Sequence, residues 1–447
     1  MPFAADPARD FGGLIHRTPR TVLSPGSPAE LAAGIRTAAA EGVGFAAQGR
    51  RHSVFGRGLV ADGIVADMTG LRAVGDVTAQ RVVVEAGASW REVLAATLPR
   101  GLVPAVLPDY LDLSVGGTLA VGGIGAATAR HGAATDAVTA LEGVTGAGEV
   151  ASWASGDALF DVVRAGLGQV AVTTRVALAL VRAPVTAYRH LLAYRDVAAL
   201  LADQRRLVGQ LADGGLLAVQ GAVVAGPDGW TPQLEVVADR DDPAALAGLA
   251  GEPEPVEPLP YLTWLDRLAP LERALRAAGQ WEQPHPWLTT FLPDRTADEL
   301  VAGELAWLAP ADLGRFGRVV LSPIPRAAVR TPMLRLPDDE LCVQFNLVRF
   351  PASGAAAAPM PEANRAVYDR VRAAGGTLYP ASAFPMSADD WRAHFGPVHE
   401  TLTAARRRHD PDGVLTPGYE VFRPSVGDAA AAPGRGSGPG AAAGRRR

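Results

Sequence analysis

The chain has 447 residues, 48% of them hydrophobic and 20% charged, which is more than one core normally accommodates and enough apolar material for two domains. A formal charge of −5, with no basic tract before the extreme C-terminus, argues against a nucleic-acid or anionic-membrane partner. All 42 basic residues are arginine, which excludes lysine Schiff-base chemistry, lysine-anchored pyridoxal phosphate and the lysine of a phosphate-binding P-loop. The single cysteine, Cys342, lies in the apolar run Leu341 to Val348, so it is expected to be buried and no intramolecular disulfide can form. The first residues carry acids where a signal peptide would be basic and then apolar. No apolar run approaches membrane-spanning length, and a cytoplasmic location is the expectation.

In chain order, Ser27-Pro28-Ala29-Glu30 reads as a capping box with proline at the first helical position, and Gly42 ends that helix. A strand over Val43 to Ala47 then runs into Gly49-Arg50-Arg51-His52-Ser53, followed by Gly56 and Gly58. Glycines let such a loop adopt positive φ and bring its amides close to an anion, with the arginines adding charge. Phosphate or pyrophosphate is the natural guest, and His52 would touch whatever the phosphate carries. On these residues alone, a plain turn with a solvated histidine is the simpler reading.

Further strands are expected at Gly63 to Asp67 and Arg81 to Ala86, and a second capping box, Ser89 to Glu92, opens another helix. From Leu102 to Gly125 the chain has too many glycines for a packed helix and too much apolar character for a surface loop. Backbone lying against a flat ligand would explain both. A strand around Ala140 to Thr145, a turn at Gly146 to Gly148 and a helix near Asp157 to Arg164 precede Gly166-Leu167-Gly168-Gln169 and the strand-like Val170 to Val181.

Composition shifts at Ala183-Pro184. Beyond it, alternating strands (Leu216 to Val224, Gln233 to Val237, Leu341 to Val348) mix with helices at Asp298 to Leu308 and Glu362 to Ala374, which predicts an α+β domain with an antiparallel sheet. Gly251 to Pro260 reads as an exposed proline-rich connection, Ser387 to Phe395 as a capped helix, and residues 425–447 as a disordered tail.

Taken together, these pieces resemble the cytokinin dehydrogenases, within the vanillyl-alcohol-oxidase class of FAD enzymes. The matching motifs are G-R-R-H-S at Gly49, D-Y-L-D-L-S-V-G-G-T-L at Asp109, R-H-G at Arg130 and G-L-G-Q at Gly166. Later come W-E-Q-P-H-P-W-L at Trp281, D-W-R-A-H-F-G at Asp390 and D-P-D-G-V-L-T-P-G at Asp410. The resemblance implies a two-domain α+β fold. Residues 1–183 and 380–424 would form the FAD domain, and residues 184–379 an inserted substrate domain with an antiparallel sheet.

It also implies roles. His52 would carry FAD through a covalent bond, among the flavin contacts Gly49, Arg50, Arg51, Ser53, Gly116, Gly117, Thr118, Gly166, Gly168 and Gln169. The family usually has glycine where Arg51 stands. Asp109, among apolar neighbours, is the candidate catalytic residue, since a carboxylate there can accept a proton or hydrogen bond from a substrate amine as hydride leaves the adjacent carbon. Asp112 reads as structural. Gln220, Trp287, Thr289 and Pro380 match positions around the family's substrate slot, while Trp281 reads as a core residue. The remaining histidines, His16, His190, His285, His394, His399 and His409, show no metal-ligand spacing.

The implied reaction is oxidation of the N6 side-chain amine of an isoprenoid adenine to an imine that hydrolyses to adenine and an aldehyde. A quinone-like compound or oxygen would accept the electrons. Gln220, Thr289 and Pro380 depart from the family pattern and keep two alternatives open: another amine or alcohol of secondary metabolism as substrate, or a non-redox flavin-binding protein.

Overall fold

The computed structural model describes residues 6–211, 215–226 and 229–422; the tail expected at 425–447 lies outside them. Three sheets organise these residues. A parallel three-stranded sheet places Ile64–Asp67 between Thr21–Leu23 and Phe45–Gln48. Helix Pro28–Glu41 covers it, burying Leu31 and Ile35. Ser27 caps this helix by accepting from the Glu30 amide, and Gly42 ends it in the left-handed region. The expected box closes on one side only, because the Glu30 carboxylate takes the Gly26 amide instead. The box at Ser89 and Glu92 is complete and starts Trp90–Thr97.

A six-stranded sheet centres on the long strand Ala171–Arg182, flanked by Arg81–Glu85 and Val138–Thr145. The far end of the chain returns to this half. The Phe45 amide donates to Val414 O and the Thr416 amide to Phe45 O, so Leu415 joins the apolar cluster of the N-terminal strands. Residues 414–416 therefore pack with the N-terminal strands.

The nine-stranded sheet is antiparallel throughout. Its middle strands follow the order Thr186–Ala193, Gly229–Ala238, Leu216–Gly226, Arg318–Pro325, Leu341–Val348 and Leu288–Pro293. Leu216–Gly226 and its neighbours pack one face against helix Val197–Leu211, with Leu200, Leu207, Val219, Val223, Val319 and Leu321 all buried. The opposite face turns towards the N-terminal half. Cys342 is fully buried in this sheet, and burial pushes its thiol up to about 12.

Two expectations are corrected. Gly251 to Pro260 is more than a connection, since Glu252–Pro253 and Glu257–Pro260 pair with Thr186–Ala193 as short edge strands, where proline is tolerated. The glycine-rich stretch after Leu102 holds a helix, Val115–Val121, despite Gly116 and Gly117. A Cβ at Gly116 would collide with Ala86, so the absent side chain is what lets this short helix dock on the strand beneath it.

Candidate active site

Strand Phe45–Gln48 delivers the chain into the loop that begins at Gly49. Gly49 is required for close approach, because a Cβ there would collide with Ser114 Oγ. The left-handed turns expected of glycine fall partly on other residues: Arg51 has φ 58° and Phe55 has φ 55°, beside Gly56 at 69°. Such backbone costs a non-glycine residue roughly 1–2 kcal/mol, and at Arg51 the side chain offsets it. Its Nε donates to Gln48 Oε1 at 2.9 Å and its Nη2 to Asp67 Oδ2 at 2.9 Å, folding the guanidinium back onto the sheet.

His52 follows at the loop tip. Its ring lies 4.7 Å from Phe11 and 5.1 Å from Tyr110, with Trp281 at 6.1 Å. Burial pushes the imidazole down to about 4, so the ring is neutral near pH 7. Its Nδ1 is buried without a hydrogen-bond partner. A neutral histidine with one nitrogen unengaged is a competent nucleophile.

One cavity of about 1140 Å³ joins this loop to the nine-stranded sheet. Gly49, Arg50, Arg51, His52, Ser53, Gly116, Gly117, Thr118 and Gly168 line one side. Gln220, Trp287, Thr289 and Pro380 line the other, with Asp109 between them. Register explains the sheet's contribution: Thr289 lies opposite Asn346, Asn346 opposite Val320, and Val320 opposite Ala222. These four form one row across the cavity-facing side. Trp287 is held by its Nε1, which donates to Arg349 O at 2.9 Å.

Gly166 and Gln169 do not reach the cavity wall. A Cβ at Gly166 would collide with Val162 O. Gln169 is buried behind the wall and donates to Thr416 O at 3.1 Å, while Thr416 Oγ1 donates to Gly168 O at 2.9 Å. This knot fixes the turn where Ala165, Leu167 and Gly168 all have positive φ. The Thr118 hydroxyl is likewise engaged inside the protein, accepting from Trp90 Nε1 and donating to Ser114 O, both at 2.9 Å.

Asp109 differs from its expected surroundings. Its side chain is 33% exposed, and Arg267 Nη2 donates to Oδ1 at 2.6 Å. The Ala126 amide donates to the same oxygen at 3.1 Å and Gln220 Nε2 to Oδ2 at 3.4 Å. Local sequence showed only apolar neighbours; the guanidinium arrives from 158 residues away. Arg267 is itself stacked over Trp264 at 4.9 Å. Asp112, read as structural from the sequence, pairs with Arg91, which also grips Asp266. Trp281 is not a core residue. It is half-buried on the cavity wall, its ring covered by Arg276 at 4.6 Å. Phe11, Tyr110 and Arg267 also line the cavity. Of these only Tyr110 had a sequence signal, as the neighbour of Asp109. Among the described residues there is no group of three or more His, Cys, Asp or Glu that could hold a metal ion, and no helix is long and apolar enough to cross a membrane.

Residues 19–153 match the family described as FAD binding domain, and residues 254–422 the family described as cytokinin dehydrogenase 1, FAD and cytokinin binding. The chain is 34% identical to an uncharacterized oxidoreductase, ORF5 of the fasciation locus of Rhodococcoides fascians, over 92% of this chain and 95% of that one. It is 30% identical to cytokinin dehydrogenase 10 of Oryza sativa subsp. japonica, covering 92% and 86% of the two chains. Cytokinin dehydrogenase 1 of the same plant is 31% identical, covering 94% and 90%. The crystal structure of 6-hydroxy-D-nicotine oxidase from Arthrobacter nicotinovorans shares the fold, with a TM-score of 0.72 at 20% identity over 94% of this chain and 96% of that one. The residues present fit FAD. The Gly49–Ser114 and Gly116–Ala86 approaches clear a backbone-lined cradle, and the unpartnered His52 Nδ1 stands at its edge.

Proposed function

The chain belongs to the cytokinin dehydrogenase family of FAD-dependent oxidoreductases, and we propose that it oxidises the N6 side-chain amine of isoprenoid adenines. The product imine would hydrolyse to adenine and an aldehyde, with a quinone-like compound or oxygen as electron acceptor. The observation that supports this reading most strongly is the single cavity that brings Asp109 between the glycine-lined cradle and the sheet face bearing Gln220, Trp287 and Thr289.

In this reading residues 1–183 and 380–424 hold FAD, residues 184–379 provide the substrate face, and the protein works in the cytoplasm. FAD bound in the cradle supplies the two-electron acceptor for hydride. His52 holds it covalently through the nitrogen left unpartnered, and Gly116, Gly117 and Gly168 keep side chains out of its way. Gly166 and Gln169 act from behind, by fixing the turn at Gly168 and Thr416. Trp287 and Pro380 offer flat apolar surface to a planar base. Asp109 accepts the hydrogen bond of the reacting N–H, so the substrate must displace Arg267 or share the carboxylate with it. Gln220 steadies the second oxygen.

Gln220 also favours a second reading. It presents an amide where the family often has a carboxylate and can both donate and accept, which suits another amine or an alcohol equally. Product analysis separates the two. With an artificial electron acceptor, isopentenyladenine is expected to yield adenine and an aldehyde. No turnover of isopentenyladenine alongside oxidation of other amines or alcohols would establish the second reading in its place.

A further inference from the structure

The cavity-facing side of the nine-stranded sheet carries more charge than a slot for a neutral base requires. Glu235 is already neutralised, accepting from Arg189 Nε at 2.6 Å and from Trp264 Nε1 at 3.2 Å. Arg50, Arg51, Arg57 and Arg267, also on the wall, each bond to carboxylates or carbonyls. Arg318 does not. It opens strand Arg318–Pro325, lines the cavity on the same face as Val320, and is half-buried. Among the described residues its guanidinium has no hydrogen bond and no ion pair within 4.0 Å, and burial lowers its proton affinity against the weaker pull of Glu235. Arg9 and Arg273, the other cavity-lining arginines without a side-chain partner, are exposed to water and need none. A half-buried cation without a partner is costly to maintain, and a ligand that brings the partner removes that cost.

Position says which part of a ligand meets it. Gly221 lies opposite Leu321 in the ladder, so Gln220, the neighbour of Asp109, is level with Ser322. Arg318 is four residues further along the strand, about 13 Å at the usual rise of a strand. Asn346, opposite Val320 on the same face, adds a buried Oδ1 with no donor.

We propose that Arg318 binds an oxyanion, carboxylate or phosphate, at the end of the substrate remote from the amine that meets Asp109. The preferred substrates are then amines that carry such a group, with Asn346 accepting a hydrogen bond from the neighbouring part of the molecule. This rests on the reading that the cavity is the substrate site.

The test titrates flavin-loaded protein with benzoate and with benzamide, which share a shape and differ in charge, and reads binding by calorimetry. Benzoate is expected to bind about tenfold or more tightly than benzamide, the scale of one charge-assisted hydrogen-bond pair. Arg318→Gln should remove that preference with benzamide affinity retained, and Arg318→Lys should keep part of it. Absence of benzoate binding, equal binding of the two in the wild type, or a preference that survives in Arg318→Gln overturns the proposal. If Arg318→Gln does not fold, the wild-type preference and its change in Arg318→Lys decide it. A second arm compares oxidation of isopentenyladenine with that of its riboside 5′-monophosphate, which should show the lower KM by a similar factor. Oxidation of neither, with benzoate selectivity intact and dependent on Arg318, would remove the isoprenoid-adenine reading and leave the oxyanion assignment standing. Equal oxidation of both without benzoate preference would remove the oxyanion assignment alone.

Discussion

Two side chains carry the chemical account, and each makes a separable prediction. His52 is half-buried, neutral and unpartnered at Nδ1. Acid-precipitated wild-type protein is therefore expected to retain its flavin, whereas His52→Ala should release all of it into the supernatant. Free flavin from the wild type would rule out the covalent bond. Asp109 is held by Arg267, Gln220 and the Ala126 amide. Asp109→Asn keeps the volume but weakens acceptance of the substrate N–H, so turnover should fall by roughly 100-fold or more with flavin still bound. The motif around Asp109 was legible because its neighbours are contiguous. Arg267 was not, because an ion pair across 158 residues leaves no local pattern. Arg51 shows the same limit: a left-handed conformation normally given to glycine is accepted here because Gln48 and Asp67 receive the guanidinium.

At the level of elements, helix starts were the most readable features, since a cap and its partner lie three residues apart. The full box at Ser89 and Glu92 against the half box at Ser27 predicts unequal costs. Ser89→Ala should lower stability by about 1–2 kcal/mol and Ser27→Ala by less, as read from denaturant midpoints. Helix Ala388–Phe395 makes a pH prediction. Asp390 serves the Ser387 box and also receives Arg365 and Arg372. Burial opposes its charge, but these partners win and hold its carboxyl down to about 2, below the usual 3.8. A depressed carboxylate contributes stability above its unfolded value, and that contribution disappears as pH falls towards the folded one. The stability advantage of wild type over Asp390→Asn should thus be present near neutrality and shrink as pH falls from about 4 to about 2. Strand Leu288–Pro293 was not foreseen. It is buried on both faces, which erases the alternation that betrays a half-exposed strand.

Across the described residues, glycine approaches and segments from both the N-terminal half and residues 416–419 line the cavity, and one face of an antiparallel sheet lines it as well. The composition break at Ala183-Pro184 falls just before the first strand of that sheet, Thr186–Ala193, because long alternating strands require a different residue pattern from short parallel ones. The interior also sets an acid limit. Burial pushes His285 and His394 down to about 3, while the unfolded chain binds their protons near pH 6.5. Unfolding therefore takes up protons as pH drops below 6.5, and stability should fall by up to about 1.4 kcal/mol per histidine per pH unit. Replacing His394 by Phe should reduce that slope, measured as the change in denaturant midpoint between pH 7 and 5. In the proposed function, an amine reaching Asp109 would give up hydride within this one cavity. Anaerobic mixing of the flavin-loaded protein with isopentenyladenine tests it directly: the flavin's visible absorption should bleach in the wild type and fail to do so on the same timescale in Asp109→Asn. A wild-type flavin that stays oxidised with isopentenyladenine and with every other amine offered, or an Asp109→Asn variant that bleaches as fast as wild type, would contradict the account.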